Sequence, residues 1–226
     1  MSAAVITKET LDFLRALKKN NTREWFADNK QQYQKAQAAA KSFYLNLKEA
    51  LNKHDEIEKH KLFRIYRDVR FSADKTPYKP HFAGSYSRAG AARRGGYYLR
   101  IRPGESFIAG GFWQPNKEDL FRIRKELEMD ATEFREVIGD KEFKKVWGEL
   151  TGDEVKTAPK GFDRNHPDID LIRKKGFIFV RNFSDKEVTD PGFLHVVNDS
   201  FKAIRPYFDL MSDILTTNLN GESLLD

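Results

Sequence analysis

Apolar residues recur in this chain with two different periods, and the order in which the periods change restricts the fold to one class. Up to residue 53 the spacing is helical. Ile6, Leu11, Phe13, Leu14 and Leu17 share one stripe behind Thr7, whose hydroxyl can cap free backbone N–H groups, which predicts a first helix from about Thr7 to Lys19. Asn20 and Asn21 end it and Thr22 can cap the next, where Trp25, Phe26, Tyr33, Phe43, Leu47 and Leu51 predict one long second helix. Residues 7–53 therefore read as a helical hairpin. From Leu62 the period becomes two, with Phe63, Ile65, Val69 and Phe71 on one parity and Arg64, Tyr66, Asp68 and Arg70 on the other. In an extended chain that pattern puts core on one side and charge on the other. Arg67 falls on the apolar parity, which calls for a bulge or a paired arginine.

Pro77 and Pro80 make 72–80 a loop, followed by a strand over 81–87 and an Arg- and Gly-rich connection, 88–96, expected to be mobile and exposed. Strands over 97–102 and 106–113 flank Pro103-Gly104, the pair a type II turn needs. Gly110 and Gly111 in the second of them leave room for another backbone or a ligand. Beyond Pro115 the helical period returns at Leu120, Ile123 and Leu127, and a capping box at Asp130 to Glu133 opens a helix through Ile138. A short helix around Phe143 to Trp147, a strand over 176–183 and helices over 191–215 broken at Pro206 complete the chain. The pattern predicts a single α+β domain over 1–226, an antiparallel sheet covered by helices: an N-terminal helical hairpin (7–53), a basic β-meander (61–113) and a mixed carboxy-terminal region (116–218).

Charge is concentrated in the middle of this pattern. Residues 61–102 carry eleven Lys and Arg against Asp68 and Asp74 alone, a formal +9, whereas 1–60 give +3 and 103–226 give −6. Within that stretch Arg64, Arg67, Asp68, Arg70, Lys75, Tyr78, Lys79 and His81 fall in eighteen residues. Arg presents a planar fork to phosphate or carboxylate and Lys a compact charge, so a loop carrying both can close round one anion. The plainer reading is a charged strand face on which Asp68 pairs with Arg64 or Arg70. Two local carboxylates cannot balance so many cations, so an external anion is the expectation unless the acidic carboxy-terminal half supplies partners. A second constellation is 158–171, where Lys160, Asp163, His166, Asp168 and Asp170 offer a base, an acid or metal ligands. Pro167 opening a helix, with Asp168 and Asp170 at its positive end, explains most of it without chemistry. Phe71, Tyr78, Phe82, Tyr86, Tyr97 and Tyr98 lie near the basic stretch, where they serve either as core or as stacking platforms for bases.

Several classes are excluded or disfavoured. The 226 residues contain no Cys, which removes disulfides, thiolate metal sites and a thiol nucleophile and fits a reducing compartment. No apolar run approaches the ~20 residues of a spanning helix, and the start MSAAVITKETLDF lacks the order of a signal peptide, so a cytoplasmic address away from membranes is expected. Phosphate-loop, dinucleotide, nucleophile-elbow and HExxH motifs are missing. No cofactor and no metal is called for.

Three blocks in this order, FRIYRDVRFSADKTPYKPHF, GYYLRIRPGESFIAGGFW and APKGFDRNHPDIDLIRKKGF, resemble the signature blocks of the family called domain of unknown function 2461. The resemblance spans roughly Thr10 to Leu215. It implies a single-domain unit in which the first and third blocks belong together, and it brings no activity, cofactor or catalytic residue. On it, Arg64, Arg67, Asp68, Arg70, Lys75, Pro77, Tyr78 and Lys79 sit in the first motif, and Pro159, Lys160, Gly161, Phe162, His166 and Pro167 in the third.

The leading expectation is thus a binding domain for a phosphate- or carboxylate-bearing small molecule, with Arg64, Arg67, Arg70, Lys75, Lys79 and His81 as anion ligands and Lys160 and His166 closing the site. An enzyme on a phosphorylated substrate is the alternative, with His166 as acid or base and Asp68 or Asp163 orienting it. Nucleic-acid binding through Arg88, Arg93, Arg94, Arg100 and Arg102 is a third reading, and a protein-interaction module whose charges are paired internally a fourth.

Overall fold

A computed structural model describes residues 5–225, so the first four residues of the amino-terminal stretch considered above lie outside it. Helix α1 (Lys8–Lys19) is capped by Thr7, whose hydroxyl oxygen accepts from the Thr10 N–H at 3.3 Å. The long second helix expected from Thr22 is divided in two, α2 (Arg23–Asp28) and α3 (Lys30–Leu51). The division falls at Asn29, whose backbone leaves helical geometry and whose side-chain amide donates to the Trp25 carbonyl at 2.8 Å.

The first strand also departs from expectation. β1 (Ile57–Leu62) ends where the alternating run was expected to begin, and 63–81 form instead a loop closed by an antiparallel bridge between Tyr66 and Tyr78. Ile65 is buried as its parity requires, but Phe71 at the far end is 98 % exposed. The remaining elements follow as β2 (Phe82–Arg88), β3 (Gly96–Ile101), β4 (Ser106–Phe112), α4 (Lys117–Met129), α5 (Thr132–Gly139), α6 (Lys141–Trp147), α7 (Ile169–Ile172), β5 (Phe177–Phe183), α8 (Asp185–Val188), α9 (Phe193–Ala203) and α10 (Arg205–Thr216). The five strands form one antiparallel sheet in sequence order, β1-β2-β3-β4-β5, and the fold is α+β. Pro206 lies in the first turn of α10, where its missing N–H costs nothing. The box expected at Asp130 is replaced by a simpler turn: Ala131 occupies the cap position and Asp130 accepts from the Thr132 N–H at 2.8 Å.

The chain groups into two compact units. The first comprises the described residues up to Tyr86 together with Tyr98–Ile108 and Asn182–Asp199. Its core joins Phe13, Leu14 and Leu17 of α1, Phe26 of α2, Tyr33, Ala36 and Ala40 of α3, and Ile65, Tyr78 and Phe82 beyond β1. Tyr44 of α3 is buried against the strands, its hydroxyl donating to the Leu99 carbonyl at 3.0 Å while its own carbonyl accepts from the Tyr86 hydroxyl at 3.0 Å. One side of β2 and β3 is thereby committed to the helices, and the residues of opposite parity, among them Ala83, Tyr98 and Arg100, stand on the other.

The second unit comprises Ser87–Tyr97, Ala109–Arg181 and the described residues from Ser200 onward. Tyr207 of α10 is its hub, surrounded by Phe112, Phe134, Phe143 and Phe179 and donating from its hydroxyl to the Phe177 carbonyl at 2.9 Å. The room left by Gly110 and Gly111 is taken by this unit's own atoms. At Gly111 (φ 132°) a Cβ would stand 2.2 Å from the Phe177 carbonyl oxygen of β5, and at Gly110 it would meet the Ile204 side chain. The connection 88–96 is anchored rather than exposed at both ends. Arg88 is buried, donating to the Arg94 carbonyl at 2.9 Å and pairing with Asp209 at 3.3 Å, and the Arg94 N–H donates to the Ser212 hydroxyl at 2.9 Å.

Candidate functional site

The loop between β1 and β2 is a hairpin in its own right. The Arg67 N–H donates to the Pro77 carbonyl at 2.9 Å, and the Lys79 N–H to the Ile65 carbonyl at 2.7 Å. Asn21, at the junction of α1 and α2, clasps its second leg with both ends of one amide: Nδ2 donates to the Tyr78 carbonyl at 2.8 Å and Oδ1 accepts from the Tyr78 N–H at 3.1 Å. Phe26 stacks on the Tyr78 ring at 4.1 Å.

Three of the candidate anion ligands are spent on holding this hairpin. The Arg67 guanidinium, only 22 % exposed in its side chain, bonds Asp74, Thr76 and Ser72, which resolves its place on the apolar parity as a paired arginine. Beside it Asp74 is held down at about 2, chiefly by the hydrogen bond from Arg67. Arg70 makes a two-point contact with Asp68 at 3.0 and 2.7 Å, and Lys75 donates to the Val69 carbonyl at 3.1 Å. This is the internal pairing that a charged surface requires, and it is formed by Asp68 with Arg70 rather than with Arg64.

Arg64, Lys79 and His81 behave differently. They converge on one pocket of about 220 Å³, walled also by Phe63, Ala83 and Tyr98. Among the described residues the Arg64 and Lys79 side chains form no ion pair and no hydrogen bond. His81 Nδ1 is buried without a hydrogen-bond partner among them. Burial first, and then the positive charges of Arg100, Arg102 and Lys79, push the His81 imidazole down to about 4, so it is neutral near pH 7. Arg100 and Arg102 are themselves shared with Glu105, at 3.7 and 3.3 Å. Tyr98, which the sequence offered as core or as a stacking platform, thus walls this pocket, and Arg100 and Arg102, which it offered for nucleic acid, lie near enough to act on His81. The signal was their parity on β3 once its pairing with β2 is known.

The candidates of the third block lie in the second unit. His166 uses both ring nitrogens on the backbone: Nε2–H donates to the Glu128 carbonyl at 3.0 Å and Nδ1 accepts from the Asp168 N–H at 3.1 Å. Asp168 and Asp170 grip Arg135 of α5 at 2.6 and 2.7 Å, so α7 is held by an ion-pair clamp, where capping alone was expected. Lys160 and Asp163 are exposed, and Asp163 accepts from the Asn165 N–H at 2.9 Å. No group of three or more His, Asp or Glu side chains placed to hold a metal ion occurs among the described residues, and no described helix is long and apolar enough to cross a membrane.

These features define an α+β protein with a small pocket of mixed lining, Phe63, Arg64, Lys79, His81, Ala83 and Tyr98, in its first unit. Residues 9–210 match the sequence profile of the family described as Conserved hypothetical protein (DUF2461), and the chain belongs to that family. Neither the curated proteins nor the solved structures provide a match.

Proposed function

We propose that this protein binds a small phosphate- or carboxylate-bearing molecule in the pocket of Arg64, Lys79 and His81. One observation carries the reading: Arg67 and Arg70 are ion-paired to carboxylates, whereas among the described residues Arg64 and Lys79, which line the same 220 Å³ space, form no ion pair, Asp68 acting on Arg64 only as a nearby charge while it bonds Arg70. An anion of charge near −2 balances them, and Arg100 and Arg102 behind His81 add to the attraction. Neutral His81 contributes a hydrogen bond rather than a charge.

The expected outcome is that inorganic phosphate or a sugar phosphate raises the melting temperature in a saturable way, and that Arg64→Ala and Lys79→Ala each cut the affinity roughly tenfold, as loss of one charge-assisted bond does. Arg70→Ala, which removes a guanidinium already satisfied by Asp68, leaves it unchanged. Equal stabilisation of wild type and both pocket variants would sink the reading. Catalysis on the bound anion by His166 draws no support from its surroundings, because neither of its ring nitrogens is free for a substrate in this arrangement.

A further inference from the structure

The side of the sheet turned away from Tyr44 of α3 in the first unit carries a row of rings. Phe63 follows β1, Tyr98 belongs to β3 and Phe107 to β4. Their centroids are 6.5 Å apart from Phe63 to Tyr98 and 5.6 Å apart from Tyr98 to Phe107, with the planes tilted by 38° and 33°. All three are half-buried, whereas the alternate residues of β3, Tyr97, Leu99 and Ile101, are fully covered. Cations sit at both ends of the row. Lys61 lies over the Phe63 ring at 5.6 Å, Arg100 over Phe107 at 4.4 Å, and Arg64 and Lys79 line the pocket that Phe63 and Tyr98 wall. Rings packed as core are flanked by aliphatic residues. These are flanked by Lys and Arg.

We propose that this side of the sheet holds single-stranded nucleic acid, with two or three successive bases lying on Phe63, on Tyr98 and on the Arg100 guanidinium that Phe107 supports from beneath, and one phosphate in the pocket of Arg64 and Lys79. The proposal rests on the anion reading, whose pocket becomes one phosphate position of a longer ligand. Every base has a π-face, so such a row accepts bases with little sequence preference, and a guanidinium plane stacks on a base as a ring does. The ring spacing is of the order of the repeat of an extended strand, and the cations continue beyond the pocket. Both features fit a strand better than a free nucleotide. A duplex hides its base faces in its own stack and cannot use the row. Of the five arginines that first suggested nucleic acid, Arg100 serves here, whereas Arg88 is committed to Asp209 and Arg94 to Asp119.

Fluorescence anisotropy with a labelled single-stranded oligonucleotide of about 12 nucleotides, a length that covers such a platform, tests this against the matching duplex and, in parallel, against inorganic phosphate. The strand is expected to bind at least tenfold tighter than the duplex and to lose affinity steeply as salt rises. Phe107→Ala and Tyr98→Leu are expected to weaken strand binding about tenfold while leaving phosphate binding unchanged, Tyr98→Phe to keep both, and Arg64→Ala to weaken both. Melting curves of each variant confirm that it is folded. Phosphate binding with no strand binding at low salt, or strand binding indifferent to folded Tyr98 and Phe107 variants, overturns this inference and spares the anion reading. Loss of both overturns both.

Discussion

His81 is the residue whose environment says most. In the unfolded chain its imidazole titrates near 6.5, and in the folded protein at about 4, because burial and the charges of Arg100, Arg102 and Lys79 oppose a further cation. Between those values the unfolded chain takes up a proton that the folded one refuses. This contribution therefore falls as pH drops from about 6.5 towards 4 and is flat above. His81→Gln is expected to lessen the loss of stability between pH 7 and pH 5, measured by urea unfolding at each pH. A dianion in the pocket offsets the cations, so it should raise the ring's midpoint, visible in an NMR titration of His81. Asn21 matters in another way. Removing its amide leaves both backbone groups of Tyr78 without their partner, and Asn21→Ala is expected to cost about 1–3 kcal/mol, read from denaturant melts. Its first task was legible, since an Asn pair between two helical stripes ends a helix. Its second was not, because the partner lies 57 residues away.

At the level of elements, the two helical stretches, the Pro103-Gly104 hairpin and the late strand were readable because each is stated locally, by period, cap or turn. The failures have local causes too. Alternation over 63–71 resembles a strand, yet Ile65 is buried by the hairpin that Tyr66 and Tyr78 close, and the same alternation leaves Phe71 outside. The glycines of β4 show how much a strand's neighbour decides. Gly111→Ala places a methyl against a backbone carbonyl at a positive φ, whereas Gly110→Ala meets the end of the flexible Ile204 side chain. The first is expected to cost more than about 3 kcal/mol or abolish folding, and the second about 1–3 kcal/mol, a difference read directly from thermal melts.

For the molecule as a whole, the +9 segment proved to hold several populations of charge, Arg100 and Arg102 sharing Glu105 being one. Arg88 and Arg94 are paired with Asp209 and Asp119, so the acidic carboxy-terminal half does supply partners for that part. Arg67 and Arg70 are balanced by Asp74 and Asp68 within the hairpin. Among the described residues Arg64 and Lys79 form no ion pair, and no count of charges could have separated them from the rest. Arg88→Ala, which strips a nearly buried guanidinium from Asp209 and the Arg94 carbonyl, is expected to destabilise by about 3 kcal/mol without touching anion affinity, which unfolding and titration together would establish. The closed hairpin also bears on how fast the site works. Arg64 and Lys79 flank a backbone that is already zipped by Arg67, Lys79 and the Asn21 clasp, so a ligand arriving there has no loop to order. Encounter should then be the slow step. In stopped-flow mixing the observed rate should climb linearly with ligand concentration, without a plateau, and slow as added salt screens the approach.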